Sequence, residues 1–280
     1  MIIWLASYPK SGNTLVRTIL SSYLYTSDGN FKFELLKYIK QFPSKFFFQK
    51  LGININDKIE MQKNYVSAQK LVNSYNPHNF LKTHSSYKLN YHYKFTDIQN
   101  TLGAIYIVRD PRNVLTSFSN HFEMSQEQSL DSMLSSSFHV GDKFENDTPT
   151  FVGSWSSNYK SWKSKELNDR CLLVKYEDLI KKKKETEIKI LEFIAKLSKI
   201  ELKLDTKKLD NSLNTTEFNY LQKLEKRHGF FESIPDSKTG KKINFFNLGP
   251  ENKWENLLKP NIRKKLENSF KKEMTELGYL

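Results

Sequence analysis

Residues 2–15 read IIWLASYPKSGNTL, and the fold turns on the middle of that stretch, YPKSGNT at residues 8–14. An apolar run, IIWLA at residues 2–6, leads straight into it, and a helical pattern from Thr14 to Leu24 follows, with Leu15, Ile19 and Leu20 spaced for one face. Strand, turn and helix in that order let the N–H groups of a first helical turn converge on an anion, reinforced by the helix dipole. The order of residues is not that of a Walker loop, G-x-x-x-x-G-K-[ST], because Lys10 comes before Gly12. The physical device survives the change. The N–H groups of Ser11, Gly12, Asn13 and Thr14 are expected to face an anion, and Gly12 permits close backbone approach. The Ser11 and Thr14 hydroxyls add donors, and Lys10 adds a mobile positive charge. An ordinary strand-turn-helix with a surface lysine is the alternative reading of the same residues.

Working outward, two further short apolar runs, AIYIV at 104–108 and CLLVKY at 171–176, suit parallel strands covered on both faces. Each is followed by a helical pattern. Asp110 can cap, and Pro111 can open, a helix running to about Phe122. Val152, Trp155, Tyr159 and Trp162 form the apolar stripe of another helix, and a third runs from Ile188 to Leu197. A last helix, about 260–278, carries Ile262, Leu266, Phe270, Met274 and Leu277. Such alternation predicts an α/β fold, a doubly wound parallel sheet flanked by helices with a P-loop-like nucleotide-binding architecture. No repeat or Pro/Gly/Ser linker divides residues 1–280, so one domain is expected. Within it, residues 25–78 read as helices over the sheet, and polar residues 205–250 as a lid-like segment or a long surface excursion.

Two more groups belong at the same sheet edge. Arg109 ends the second strand with Ser117 eight residues on, and an arginine there is placed for a phosphate. A surface arginine paired with a carboxylate is the plainer reading. In FLKTHSS, Phe80 and Leu81 lead to Lys82 and His84, and a histidine just past a strand end could act as general base, its near-neutral pKa suiting the task. A lone histidine is also often structural. The remaining histidines, at 78, 92, 121, 139 and 228, have no metal-ligand spacing, and no metal is expected.

The bulk numbers set limits. With 38% hydrophobic residues, 20 Phe and 14 Tyr in 280 residues, a sizeable core can form and disorder is excluded. A net charge of +13 points to an anionic partner, although lysine runs such as 181–184 read as solvated surface. The one cysteine, Cys171, sits in an apolar run and reads as a buried, inert thiol. With no disulfide possible and no signal peptide or spanning stretch recognised, a cytoplasmic protein is expected, binding neither membrane nor nucleic acid.

Taken in order, YPKSGNT, KTH, the Arg109–Ser117 pair within VRDPRNVLTS, GSW at 153–155, VKYEDL at 174–179 and FFNLGPENKW near the end resemble the motifs of sulfotransferases that use 3′-phosphoadenosine 5′-phosphosulfate (PAPS). The resemblance runs from residue 2 to the end of the chain. It implies that residues 10–14 hold the 5′-phosphosulfate, with Lys10 beside the bridging oxygen, and that Arg109 and Ser117 hold the 3′-phosphate. Tyr176, with Trp4 or Trp155, would lie near the adenine, and His84, with Lys82 nearby, would deprotonate the acceptor. The implied reaction moves a sulfuryl group in line to a hydroxyl or amine of a small-molecule or carbohydrate acceptor, with the helices at about 25–78 as the implied acceptor region. It leaves 3′-phosphoadenosine 5′-phosphate (PAP) and needs no metal, in a monomer or homodimer. One departure stands out: where the family often has Arg-Lys-Gly, this chain has Asn247, Leu248 and Gly249 ahead of Trp254. Backbone amides, Asn247, Lys241 or Lys242 are the expected compensation. A magnesium-dependent P-loop-type kinase and a basic nucleic-acid-binding protein are the rival readings.

Overall fold

A computed structural model describes residues 1–76, 78–87, 93–141, 148–235, 239–240 and 242–280; His92 and Lys241 lie outside them. Seven strands are present among the described residues: β1 (Ile2–Ser7), β2 (Lys40–Gln41), β3 (Asn79–Thr83), β4 (Thr101–Val108), β5 (His139–Val140), β6 (Thr150–Phe151) and β7 (Cys171–Lys175). In the first half of the chain the helices are α1 (Asn13–Tyr25), α2 (Lys45–Gln49), α3 (Lys58–Lys63), α4 (Tyr65–Tyr75), α5 (Pro111–Phe122) and α6 (Gln126–Leu134). The second half adds α7 (Trp155–Trp162), α8 (Tyr176–Lys181), α9 (Lys183–Ser198), α10 (Thr206–Asn214), α11 (Phe218–His228), α12 (Trp254–Leu257), α13 (Pro260–Ser269) and α14 (Lys271–Glu276).

The central sheet is parallel, in the order β2-β3-β1-β4-β7. All six residues of β1 are buried, which is why the run is continuously apolar rather than alternating. Ile2, Trp4 and Ala6 join one core with Tyr106, Val108, Trp155, Trp162 and the C-terminal helices. Ile3 and Leu5 join another with Ile105, Ile107, α1 and α9. The predicted doubly wound α/β layering is therefore present. From β1 the chain forms β2 and then β3 on one side and crosses to β4 on the other, so β1 lies at a topological switch point, where ligands of such sheets bind beyond the strands' carboxyl ends.

Local expectations fare well where chemistry is local. Asp110 caps α5 by accepting from the Arg112 N–H at 2.9 Å, and Pro111 is its first residue. Others need correction. Val152 is buried but precedes α7. The single C-terminal helix is two, broken at Phe270 (φ −111°, ψ 16°), yet Ile262, Leu266, Phe270, Met274 and Leu277 are all buried as their spacing implies. Residues 31–75 contain, besides short helices, the edge strand β2, whose two exposed polar residues carry no strand signal. In the supposedly solvated run 181–184, Lys183 donates to the Leu213 carbonyl and to Glu217, and Lys184 pairs with Asp210. Cys171 is partly buried, and burial pushes its thiol up to about 12, which keeps it unreactive. No helix among the described residues is long and apolar enough to cross a membrane.

Candidate active site

Four strands end at one rim: β1 at Ser7, β3 at Thr83, β4 at Val108 and β7 at Lys175. The residues that follow are the predicted ones, the loop from Tyr8, then His84, Arg109 and Tyr176. A cavity of about 1100 Å³ opens over this rim. It is lined by Lys10, Gly12, Asn13 and Thr14 of the loop, and by Lys82, His84, Arg109, Ser117, Tyr176, Asn247, Leu248 and Gly249.

The loop is tightly built. Lys10 has φ 65° and Gly12 φ 98°, both left-handed. Lys10 holds this conformation at a steric cost that Gly12 avoids. A Cβ on Gly12 would also stand 2.4 Å from the Tyr176 ring, so glycine is required here by a side chain as well as by the turn. The N–H groups of Gly12, Asn13 and Thr14 open α1, where no preceding helical carbonyl exists to receive them. Ser11 differs from expectation, because its N–H is taken by the Tyr8 carbonyl at 3.3 Å, leaving its hydroxyl as the group on offer. The Asn13 side chain also turns away, donating to the Leu5 carbonyl at 2.8 Å and to Ser7 Oγ at 3.3 Å, so it braces β1 against α1.

Four buried polar atoms of the loop and the adjoining end of β4 have no partner, Tyr8 Oη, Ser11 Oγ, Asn13 Oδ1 and Arg109 Nε, and two of them, Ser11 Oγ and Arg109 Nε, can donate to an anion. Such orphans are costly unless a ligand meets them. The Arg109 guanidinium lies 4.2 Å from the centre of the Tyr176 ring and donates from Nη1 to the Lys10 carbonyl at 3.2 Å. A cation and an aromatic face thus meet beside the loop.

On the other side of Lys10 stand Lys82 and His84. His84 Nδ1 is 2.9 Å from the Ser7 carbonyl, so Nδ1–H donates there and Nε2 is the lone-pair nitrogen. Asn158 holds the strand end from behind by donating to the His84 carbonyl at 3.1 Å. Burial, helped by the Lys82 charge, lowers the His84 imidazole to about 3. The expected near-neutral value is therefore wrong for the free protein: His84 is neutral throughout the physiological range because it is desolvated among cations. Lys10 is lowered to about 7, chiefly by burial, while its ammonium rests 4.1 Å from the centre of the Phe245 ring.

Several residues of the cavity were not anticipated. Arg17, one turn beyond Thr14, is buried and meets Glu232, which also pairs with Lys82. His121 lies one turn beyond Ser117 on α5, lines the same cavity and touches the Phe245 ring. Spacing of i, i+4 from Ser117 was a usable signal for His121; Glu232 had none. Conversely, Trp4 and Trp155 are core residues: Trp4 donates to Thr101 Oγ1 at 2.9 Å and Trp155 packs on Phe270, and neither lines the cavity. Trp254 sits between the guanidinium groups of Arg112 and Arg263, 4.0 and 4.8 Å from its ring, away from the cavity. Lys242 bridges to Pro235 and does not line the cavity either. The Asp110 carboxylate, which the kinase reading needs as a metal-site group, is committed to its helix cap and to Arg112 at 2.7 Å.

A family model described as sulfotransferase domain matches residues 2–278. The chain is 23% identical to human Sulfotransferase 1E1 over 284 residues, covering 97% of this chain and 83% of the relative. It is 25% identical to a guinea pig (Cavia porcellus) 3-alpha-hydroxysteroid sulfotransferase over 156 residues, 55% of this chain and 49% of the relative. Among solved structures, mouse sulfotransferase SULT7A1 complexed with PAP superposes with a TM-score of 0.58 at 18% identity, covering 97% of this chain and 83% of that one. Retinol dehydratase in complex with retinol and PAP gives 0.60 at 15% identity, covering 98% and 81%.

Proposed function

The chain belongs to the sulfotransferase family, matched over residues 2–278, and from that premise we propose that it transfers a sulfuryl group from PAPS to a hydroxyl or amine of a small-molecule or carbohydrate acceptor. One observation carries the reading. Arg109, whose buried Nε lacks a partner, shares a single cavity with Lys10, the first turn of α1 and a histidine whose Nε2 is free to take a proton, and the unpartnered Ser11 Oγ is buried in the same loop. Two structural relatives were solved with PAP, and the residues here fit such a nucleotide. The first-turn N–H groups of α1, the Ser11 hydroxyl and Lys10 would hold the 5′ side. Arg109 and Ser117 would hold the 3′-phosphate, with Asn247 and the backbone at Leu248 and Gly249 in place of the family's Arg-Lys pair. Tyr176 offers the adenine a ring held in place by Arg109 and Gly12.

PAPS supplies the sulfuryl group and departs as PAP. His84 Nε2 accepts the acceptor's proton, and the Ser7 carbonyl, holding Nδ1–H, steadies the imidazolium that forms. Lys10 meets the charge that builds on the leaving oxygen, and Lys82 flanks the group in transit. The test is incubation with PAPS and a mixed acceptor library, read by mass spectrometry. Gain of one SO₃ on an acceptor is expected; intact PAPS together with no calorimetric binding of PAP overturns the reading.

A further inference from the structure

Glu232 belongs to no helix or strand, yet it is the most heavily paired carboxylate in the cavity. It follows the turn at Gly229, in residues 229–235. Its neighbour Phe230 is buried among Phe31, Leu36, Leu221 and Phe246, so an apolar cluster anchors the segment and carries Glu232 inward. One carboxylate oxygen accepts from Arg17 Nη1 at 2.6 Å and from Lys82 Nζ at 3.0 Å; the other accepts from Thr14 Oγ1 at 3.4 Å. Arg17 also donates from Nε to the Ile39 carbonyl and from Nη2 to the Leu36 carbonyl, at 2.7 and 2.8 Å. One carboxylate thereby ties together the loop helix, the end of β3, residues 36–39 of the acceptor region and the segment after α11. The side chains of Arg17 and Lys82 are 4% and 5% exposed, and two cations so deeply buried need a counter-charge to remain in place.

Resting on the sulfuryl-transfer reading, we propose that Glu232 is a positioning residue for that reaction: it holds the Lys82 ammonium and the Arg17 guanidinium in the transfer chamber and so assembles the chamber around residues 229–235. Its charge also bears on protonation. Burial lowers both Lys10 and Lys82, and Glu232 opposes the shift in each. The charged and titratable groups around it are Arg17, Lys82, Lys10, Arg109, His84 and His121, with Glu225 a second carboxylate near Lys10. Only the two carboxylates favour protonated lysines. Removing the Glu232 charge therefore makes the lysines release their protons at lower pH, and activity is lost earlier as pH rises.

The experiment compares wild type, Glu232→Gln and Glu232→Asp, with PAPS and an acceptor identified from the library. Gln keeps the shape without the charge; Asp keeps the charge on a shorter arm. In Glu232→Gln, kcat is expected to fall by about tenfold or more, as for a buried charge stripped of its partner. The alkaline limb of the pH profile moves to lower pH, and PAP affinity stays within about threefold by calorimetry. Glu232→Asp recovers part of kcat and restores the limb. Unchanged kcat and an unmoved limb in Glu232→Gln overturn the proposal. So does PAP binding that tightens about tenfold or more, which would make Glu232 a competitor for the anion site rather than a positioning group. If wild type sulfates nothing, the transfer reading fails on its own, and amide exchange decides the pairing separately. Faster exchange across residues 229–235 in Glu232→Gln supports the tie, and identical exchange refutes it.

Discussion

In the proposed transfer Lys10 and His84 would divide the chemistry by how burial treats opposite needs. A base must be unprotonated, and burial among cations achieves this for His84, at about 3. A group that meets developing negative charge must be protonated, and burial works against Lys10, at about 7. The pH dependence of donor capture follows. Since kcat/KM reports the free enzyme, no acid limb is expected near the ordinary histidine value. Activity falls instead as pH rises through about 7, where Lys10 loses its proton. Lys10→Arg keeps its charge at every accessible pH, so the limb vanishes from the neutral range even though turnover is lower. A limb at unchanged pH in Lys10→Arg shows that another group titrates. His84→Ala is expected to lower kcat by about 10² or more while leaving PAP affinity within about threefold, because the imidazole touches only the proton in transit. Wild-type turnover in that variant removes His84 from the role.

At the scale of elements, helices here are shaped by their ends and by what they bury. The cap and first proline of α5 were legible because they are local, and the helix they open carries Ser117 and His121 to the cavity that Arg109 also lines. Helix α9 hides a group that no pattern announced. Glu187 is fully buried, and neither of its carboxylate oxygens has a hydrogen-bond partner. Burial raises it from 4.5 to about 8, with Lys183 only partly opposing. A carboxyl raised on folding binds more protons in the native state than in the unfolded one, so its stability term is intact below about 4.5 and is lost as pH climbs through about 8. Glu187→Leu, of similar volume and without the unpaired oxygens, is therefore expected to raise the melting temperature by a few degrees, corresponding to about 1–3 kcal/mol. The gain should be larger at alkaline than at mildly acidic pH. Equal melting curves at both pH values would show that Glu187 finds a partner on ionisation.

Across the whole molecule, what could be read from sequence was what neighbours in sequence decide. β1, β4 and β7 are apolar throughout or nearly so, and each delivers its site residue one to three positions past its end. β3 offers only Phe80 and Leu81, and β2 offers two exposed polar residues, so the far side of the sheet left little trace. The Glu232 tie spans 215 residues to Arg17 and 150 to Lys82, and no local spacing can report such a contact. Charge is the other property that belongs to the entire chain. The net +13 is what is left after Lys and Arg are set against Asp and Glu, including surface pairs such as Lys184–Asp210 and Lys259–Glu127, and exposed pairs of this kind add little stability. The field of that net charge would act at a distance on the proposed anionic donor and focus into the cavity, which Arg109, Lys82 and Lys10 line. Capture should then weaken with salt while chemistry does not. Between about 20 and 200 mM salt the screening length shrinks from roughly 20 to 7 Å, and kcat/KM for PAPS is expected to fall several-fold with kcat at saturating donor nearly constant. The same titration with a neutral acceptor at saturating PAPS should leave the acceptor KM flat. If kcat falls together with kcat/KM, salt is reaching the buried ionic cluster itself, and steering is not the cause.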